Sequence, residues 1–131
     1  MKKGIKFLVI SLTVLAIVII VGTVMVRGMA RGLEDFLAEV EIEPVDLRTV
    51  SDGTYHGSTD AGIIQVQLEL DVKDHRITDI RLLKHRNGQG AEAEVLVSRV
   101  LQDQRIDLDT VSGATYSSLA ILDALEGALH E

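Results

Sequence analysis

Twenty consecutive residues, Phe7 to Val26 (FLVISLTVLAIVIIVGTVMV), carry no charge, and Ser11, Thr13 and Thr23 are their only polar side chains. At ~1.5 Å rise per residue, a helix of that length spans about 30 Å, the thickness of a bilayer's hydrocarbon core. Serine and threonine hydroxyls bond back to their own helix, so they do not oppose the reading. Every face of the helix is apolar, which does not suit a surface helix in water. A retained anchor and a cleaved signal peptide compete. A signal's apolar region runs about 7–15 residues and ends in a small-x-small site. This run is longer, and its exit offers one weak cleavage sequence, Gly28-Met29-Ala30. The expectation is a retained anchor.

Orientation follows from charge. Lys2, Lys3 and Lys6 precede the run, against Arg27 and Arg31 just after it. That bias favours the N-terminus inside, with everything beyond Val26 outside the cytoplasm. The expected plan is a cytoplasmic N-terminus at 1–6, a transmembrane anchor at 7–26, a juxtamembrane stalk at 27–46 and a folded domain at 47–131. Gly32 to Glu43 reads as a polar helix or stalk, and Pro44 marks the entry to the domain.

All acidic residues follow the run. With three of the 13 basic residues ahead of it, the remainder carries 10 basic against 20 acidic. Such a surface repels nucleic-acid backbones, so no nucleic-acid partner is expected. The chain has no cysteine, which excludes disulfides, thiolate metal sites, iron–sulfur clusters and a thiol nucleophile.

The domain opens with Asp52-Gly53-Thr54-Tyr55-His56-Gly57, a turn signal and a short strand, and Ala61-Gly62 breaks the chain again. From Ile63 to Val72, Ile64, Val66, Leu68, Leu70 and Val72 alternate with Gln65, Gln67, Glu69 and Asp71. That is a half-buried strand of period two. Lys73 to Arg76 reads as a tight turn and Ile77 to Leu83 as a second strand, making an antiparallel hairpin. Ala91 to Gln102 switches to helical period, with Ala93, Leu96, Val97, Val100 and Leu101 on one stripe. Ser118, Ile121, Leu122, Leu125 and Leu129 give a second stripe, for which Ser117 or Ser118 is a candidate cap. Strands followed by helices indicate an α+β domain: a small antiparallel sheet with packed helices, preceded by one N-terminal transmembrane helix.

The stretch richest in chemistry is Asp109-Thr110-Val111-Ser112-Gly113-Ala114-Thr115-Tyr116-Ser117-Ser118, a tight turn feeding a helix start. Gly113 and Ala114 leave room for close approach to the backbone, and hydroxyls of Ser112, Thr115, Ser117 and Ser118 gather there. Free amides at the positive end of a helix dipole suit a phosphate. A plain capped helix after a turn explains the same residues.

These residues resemble those of the FMN-binding domain family, which includes the flavin-carrying subunits of sodium-pumping NADH:quinone oxidoreductase and of Rnf-type complexes. The family's Asp-x-x-(Ser/Thr)-Gly-Ala-Thr motif is matched at Asp109, Ser112, Gly113, Ala114 and Thr115. Asp52 to Gly57 resembles its opening Asp-Gly-x-Tyr-x-Gly, Lys73 to Lys84 its hairpin and third strand, His85 its histidine at that strand's end, and Ala120 to Leu129 its closing helix. The resemblance covers Val50 to Leu129. It implies FMN joined to Thr115 by a phosphoester bond. A flavin transferase that uses FAD and magnesium makes the bond and releases AMP, with Asp109 serving its recognition. The match departs at Arg86-Asn87-Gly88-Gln89-Gly90, where many members carry a Glu-Thr-Pro-Gly-like loop.

The cofactor-binding residues expected are therefore Thr115, Ser112, Gly113, Ala114, Tyr116, Ser117, His85, Asn87 and Gly88. Tyr116 either stacks on the flavin ring or fills core space. His85 either touches the flavin or is a polar strand-end residue. No metal site is expected, because His56, His75, His85 and His130 are scattered without ligand spacing. Ser112, His85 and Asp109 could compose a hydrolase triad, but no Gly-x-Ser-x-Gly elbow is present. The expected function is a membrane-anchored, extracytoplasmic electron carrier between redox donor and acceptor proteins or the quinone pool, not a stand-alone catalyst. The alternatives are a non-covalent FMN-binding or sensory module and a flavin-free structural accessory domain.

Overall fold

A helix of apolar residues with no proline before Pro44 has nothing to stop it at the end of its charge-free run. In a computed structural model describing residues 2–86 and 91–130, helix α1 accordingly runs unbroken from Lys2 to Glu39. Thr13 and Thr23 donate their hydroxyls to the carbonyls of Ile10 and Ile20, each at 2.8 Å. The helix is long and apolar enough to cross a membrane, with mean hydropathy 2.9 over its best window and none of that window buried in the protein. Past the apolar run the helix is not a free polar stalk. Gly32, Leu33, Phe36 and Leu37 form a half-buried stripe, and Leu33 and Phe36 pack against the domain's core.

Three antiparallel strands follow in the order β1 (Gly53–Ala61), β2 (Ile64–Lys73) and β3 (Arg76–Arg86). The β1–β2 turn needs Gly62, whose φ is +78° and whose N–H donates to Asp60 Oδ1 at 2.9 Å. The β2–β3 turn holds Asp74 and His75 at φ +51° and +60°, the paired positive angles of a type I′ hairpin. Asp52 Oδ1 accepts the Asp74 N–H at 2.9 Å and ties that turn to the start of β1.

The alternation of β2 is realised: Ile64, Val66, Leu68, Leu70 and Val72 are all buried on one face. Strand β3 is longer than its sequence pattern indicated and contains two irregularities, opposite Gln67/Leu68 and Asp71/Val72. Each inserts one residue, Leu83 and Thr78, and each resets which side chains face inward. Ile77, Ile80, Leu82 and His85 thus share the face of Val72, Leu70, Leu68 and Val66.

That face is covered by helices. Ala91–Glu94 forms a 3-10 turn and leads into α2 (Val95–Asp103). Ala93, Leu96 and Val100 are buried, with Val97 and Leu101 partly so. Gln104 ends α2 in the left-handed region and clamps β3: its Oε1 accepts the Ile77 N–H at 2.8 Å and its Nε2 donates to Ile77 C=O at 2.9 Å. Helix α3 (Thr115–Leu129) packs across β1 and β2 and supplies Ile121, Leu122 and Leu125 to the core.

The outer, polar face of the sheet carries an ion network. Arg81 reaches Glu69 (Nε–Oε1 2.9 Å), Asp71 (Nη1–Oδ2 2.8 Å) and Asp79. The Arg81 guanidinium and then the Thr54 hydroxyl, which donates to Asp71 Oδ1 at 2.7 Å, lower the Asp71 carboxyl to about 2. Its unfolded value lies near 4. The contribution of Asp71 to stability is therefore complete above about pH 4 and is lost as the pH falls through about 2. We expect Arg81→Ala to melt below wild type at about pH 6, with the gap clearly narrowed at about pH 2.5 and closing below about pH 2; a Tm difference constant across that range would refute this role.

Candidate functional site

The register places four segments at one end of the sheet. Ala61 pairs with Ile64 at the β1–β2 turn, and Gln65 and Val66 pair with Arg86 and His85 at the far end of β3. A Cβ on Gly57 would strike Ala124 and Ala128, and Thr59 Oγ1 donates to Asp123 Oδ2 at 2.6 Å. Helix α3 thus runs antiparallel to β1, and its N-terminus points toward Ala61 and the β1–β2 turn. Helix α1 arrives at the same end, where a Cβ on Gly62 would lie 3.0 Å from the Met29 carbonyl.

The turn before α3 is built by backbone and one serine. Ala114 N–H donates to Val111 C=O at 2.9 Å, closing a four-residue turn whose third residue, Gly113, has φ +80°. That is the angle a type II turn requires at this position, and glycine adopts it without cost. A Cβ there would meet nothing within 4 Å, so Gly113 serves conformation and not clearance. Ala114, expected to leave room for approach, is instead buried at 4 % exposure and anchors the turn in the core.

The helix starts earlier than a serine cap implied. Thr115 is its first residue, Ala114 is the N-cap, and no N-cap side chain accepts its amides. Ser117 and Ser118 are buried and lie inside the helix. Ser118 Oγ accepts the Val111 N–H at 2.9 Å and donates to Ala114 C=O at 2.7 Å, fastening the turn to the helix. The expected cluster of hydroxyls is thus divided. Ser112 and Thr115 are exposed, while Ser117 and Ser118 are not. Asp109 is exposed in the irregular segment leading to the turn.

Tyr116 does not fill the core; it is 49 % exposed and borders an apolar groove of about 380 Å³. Met29, Leu33 and Leu37 of α1 and Ile63 of the β1–β2 turn form the other walls, and Glu34 contributes the charge at its edge. These α1 residues and Ile63 escaped the sequence reading. The signal for them is the continued helical spacing of apolar residues beyond Arg31.

His85 aims at the helix-covered face, its side chain 3 % exposed, with Nδ1 and Glu94 Oε1 2.9 Å apart. Asp109 is therefore not the carboxylate that orients this nitrogen, and the Ser112–His85–Asp109 relay is not assembled through it. Asn87 and Gly88, together with Gln89 and Gly90, lie outside the described residues. Among the described residues there is no group of three or more metal-ligating side chains.

The arrangement presents an exposed threonine hydroxyl on a helix start whose N-cap lacks an accepting side chain, beside an apolar groove with an aromatic wall. An anionic group on Thr115 meets the positive end of the helix dipole there. These features fit a phosphate-tethered, partly apolar aromatic cofactor. Residues 61–130 match the family model described as FMN-binding domain. Among curated proteins, none matches the chain.

Proposed function

From the premise that this chain belongs to the FMN-binding domain family, we propose that it is a membrane-anchored, extracytoplasmic electron-transfer flavoprotein carrying FMN on Thr115. The observation that carries the attachment is the exposed Thr115 at the first position of α3, behind an N-cap that is an alanine. Helix dipole and amides favour the phosphate there, and Ser112 and Gly113 shape the approach. The bound flavin supplies redox chemistry; the chain supplies attachment, orientation and electrostatics. Electrons pass between a membrane dehydrogenase or the quinone pool and an extracytoplasmic acceptor. Covalent tethering suits that compartment, where a weakly held flavin diffuses away.

Attachment is a phosphoryl-type transfer. Thr115 Oγ attacks the flavin-side phosphorus of FAD, forming the threonine O–P bond. The pyrophosphate P–O bond breaks, AMP leaves, and the hydroxyl proton passes to a base on the transferase. Magnesium offsets the pyrophosphate charge. An unassisted hydroxyl is a weak nucleophile, and no histidine is adjacent to Thr115 in the sequence. The chain is therefore a substrate of the transferase and does not modify itself.

The test is the intact mass of the full chain after co-expression with an extracytoplasmic flavin transferase. The expected gain is the mass of FMN less one water, with yellow colour surviving denaturant. Flavin that co-purifies but is lost on denaturation supports the non-covalent reading. A colourless protein from cells with active transferase supports the structural one. Orientation is tested separately. With Lys2, Lys3 and Lys6 inside, protease added outside the cytoplasmic membrane digests the domain; protection until that membrane is breached reverses the topology.

A further inference from the structure

We propose that the membrane anchor is itself one wall of the flavin site: the isoalloxazine tethered to Thr115 docks in the groove between α1 and Tyr116. This rests on Thr115 as the attachment residue. Thr115 and Tyr116 are consecutive, their Cα atoms about 3.8 Å apart. A ring system on a short chain from Thr115 samples the surface around the start of α3 at an effective concentration in the millimolar range, so even a weak docking site fills.

The groove suits such a ring. Its volume of about 380 Å³ falls within the roughly 300–1,000 Å³ of small-molecule sites. Met29 contributes a polarizable thioether, Leu33 and Leu37 aliphatic walls, and Tyr116 an aromatic face. Tyr116 and Ile63 are left 49 % and 42 % exposed, whereas Ile121 and Leu122 on the same helix as Tyr116 are fully buried. Among the described residues, Glu34 is the one charged group on the rim, and a carboxylate cannot donate to a flavin carbonyl; the apolar, benzenoid half of the ring is the part that fits. Val26, at the end of the charge-free run, also lines the groove, so a docked ring lies next to the end of the membrane-length segment. A lipid acyl chain is the competing occupant.

The experiment uses the full flavinylated chain in phosphatidylcholine nanodiscs, with intact mass measured first. The chain has no tryptophan and two tyrosines, of which Tyr116 adjoins the attachment point in sequence. Docking predicts strongly quenched flavin emission and, at high constant ionic strength that screens the acidic surface, at least a threefold lower iodide quenching constant than free FMN. Tyr116→Leu raises the emission several-fold, and Ala30→Gln, which puts a bulky neutral amide on an exposed helix position lining the groove, returns iodide access toward that of free FMN. Both variants retain the FMN mass. Free-FMN-like iodide access in the wild type, or protection that neither variant changes, overturns the placement. So does quenching of tyrosine emission by doxyl-labelled lipid in the flavinylated Tyr55→Phe chain, where Tyr116 is the one tyrosine left, which identifies the acyl chain as occupant. Absence of the FMN mass overturns the attachment and this placement together.

Discussion

Thr115→Val is expected to abolish covalent FMN completely while leaving the fold intact. Valine keeps the β-branched shape and replaces a single hydroxyl by a methyl group. Thr115 is exposed at the first position of α3, where threonine and valine differ little in helix propensity. Surface substitutions of this kind stay within about 0.5 kcal/mol. The intact mass therefore shows no adduct, denatured protein is colourless, and the melting curve overlays that of unmodified wild type. Thr115→Ser retains a hydroxyl and gains the adduct slowly. Asp109→Ala, in an exposed irregular segment, lowers the rate of modification more than it lowers Tm. Flavin that survives denaturation in the valine variant would move the attachment to another residue.

The parts of this fold that sequence made legible are those where a single period governs. Strand β2 is one: its five apolar residues alternate without interruption and all are buried. Helix α3 is another, because Ile121, Leu122 and Leu125 repeat at helical spacing and every one faces the sheet. Strand β3 was legible only as a strand. Counting in twos from Ile80 sends Lys84 inward and His85 out; the extra residue at Leu83 exchanges them, and a bulge leaves no mark in an apolar pattern.

The start of α3 misled for a different reason. Ser117 and Ser118 have the side chains of a cap, but packing buries them, and Ser118 spends its hydroxyl on Val111 and Ala114. The local preference is overridden by tertiary context. Thr115 is singled out by the Asp-x-x-Ser-Gly-Ala-Thr pattern, not by periodicity. The groove beside it was illegible for a third reason. Its walls come from residues 29–37, 63 and 116, which only the folded chain brings together. Apolar residues at 33, 36 and 37 after a membrane-length run were the available sign that the helix rests on the domain.

Gly57→Ala is expected to be the most destabilising glycine-to-alanine change among the described residues. Gly57 lies in β1 directly beneath α3, where the helix presents its small residues Ala120, Ala124 and Ala128. A Cβ at this position would stand 1.9 Å from the Ala124 carbonyl oxygen, 2.8 Å from its carbon and 3.0 Å from Ala128 Cβ. The first two are backbone atoms, so no rotamer change relieves the clash. The helix must lift, which stretches the Thr59–Asp123 hydrogen bond and loosens Ile121 and Leu125 from the sheet. Overpacking a core typically costs 1–3 kcal/mol, and displacing a whole helix puts this case at about 3 kcal/mol or more. For a domain of about ninety residues each kcal/mol lowers Tm by roughly 4–8 °C, so a fall of about 12 °C or more is expected. Gly127→Ala supplies the opposite sign. A Cβ at that helical, exposed position meets nothing within 4 Å, and replacing a helix glycine by alanine gains about 0.5–1 kcal/mol. Thermal melts of the two variants beside wild type decide the point: an unchanged Tm for Gly57→Ala would mean that α3 does not lie against β1 at glycine distance. The change also reaches the site. Thr115 and Tyr116 ride on the same helix, so a lifted α3 carries the Thr115 hydroxyl, the proposed attachment point, away from α1 and widens the groove between them.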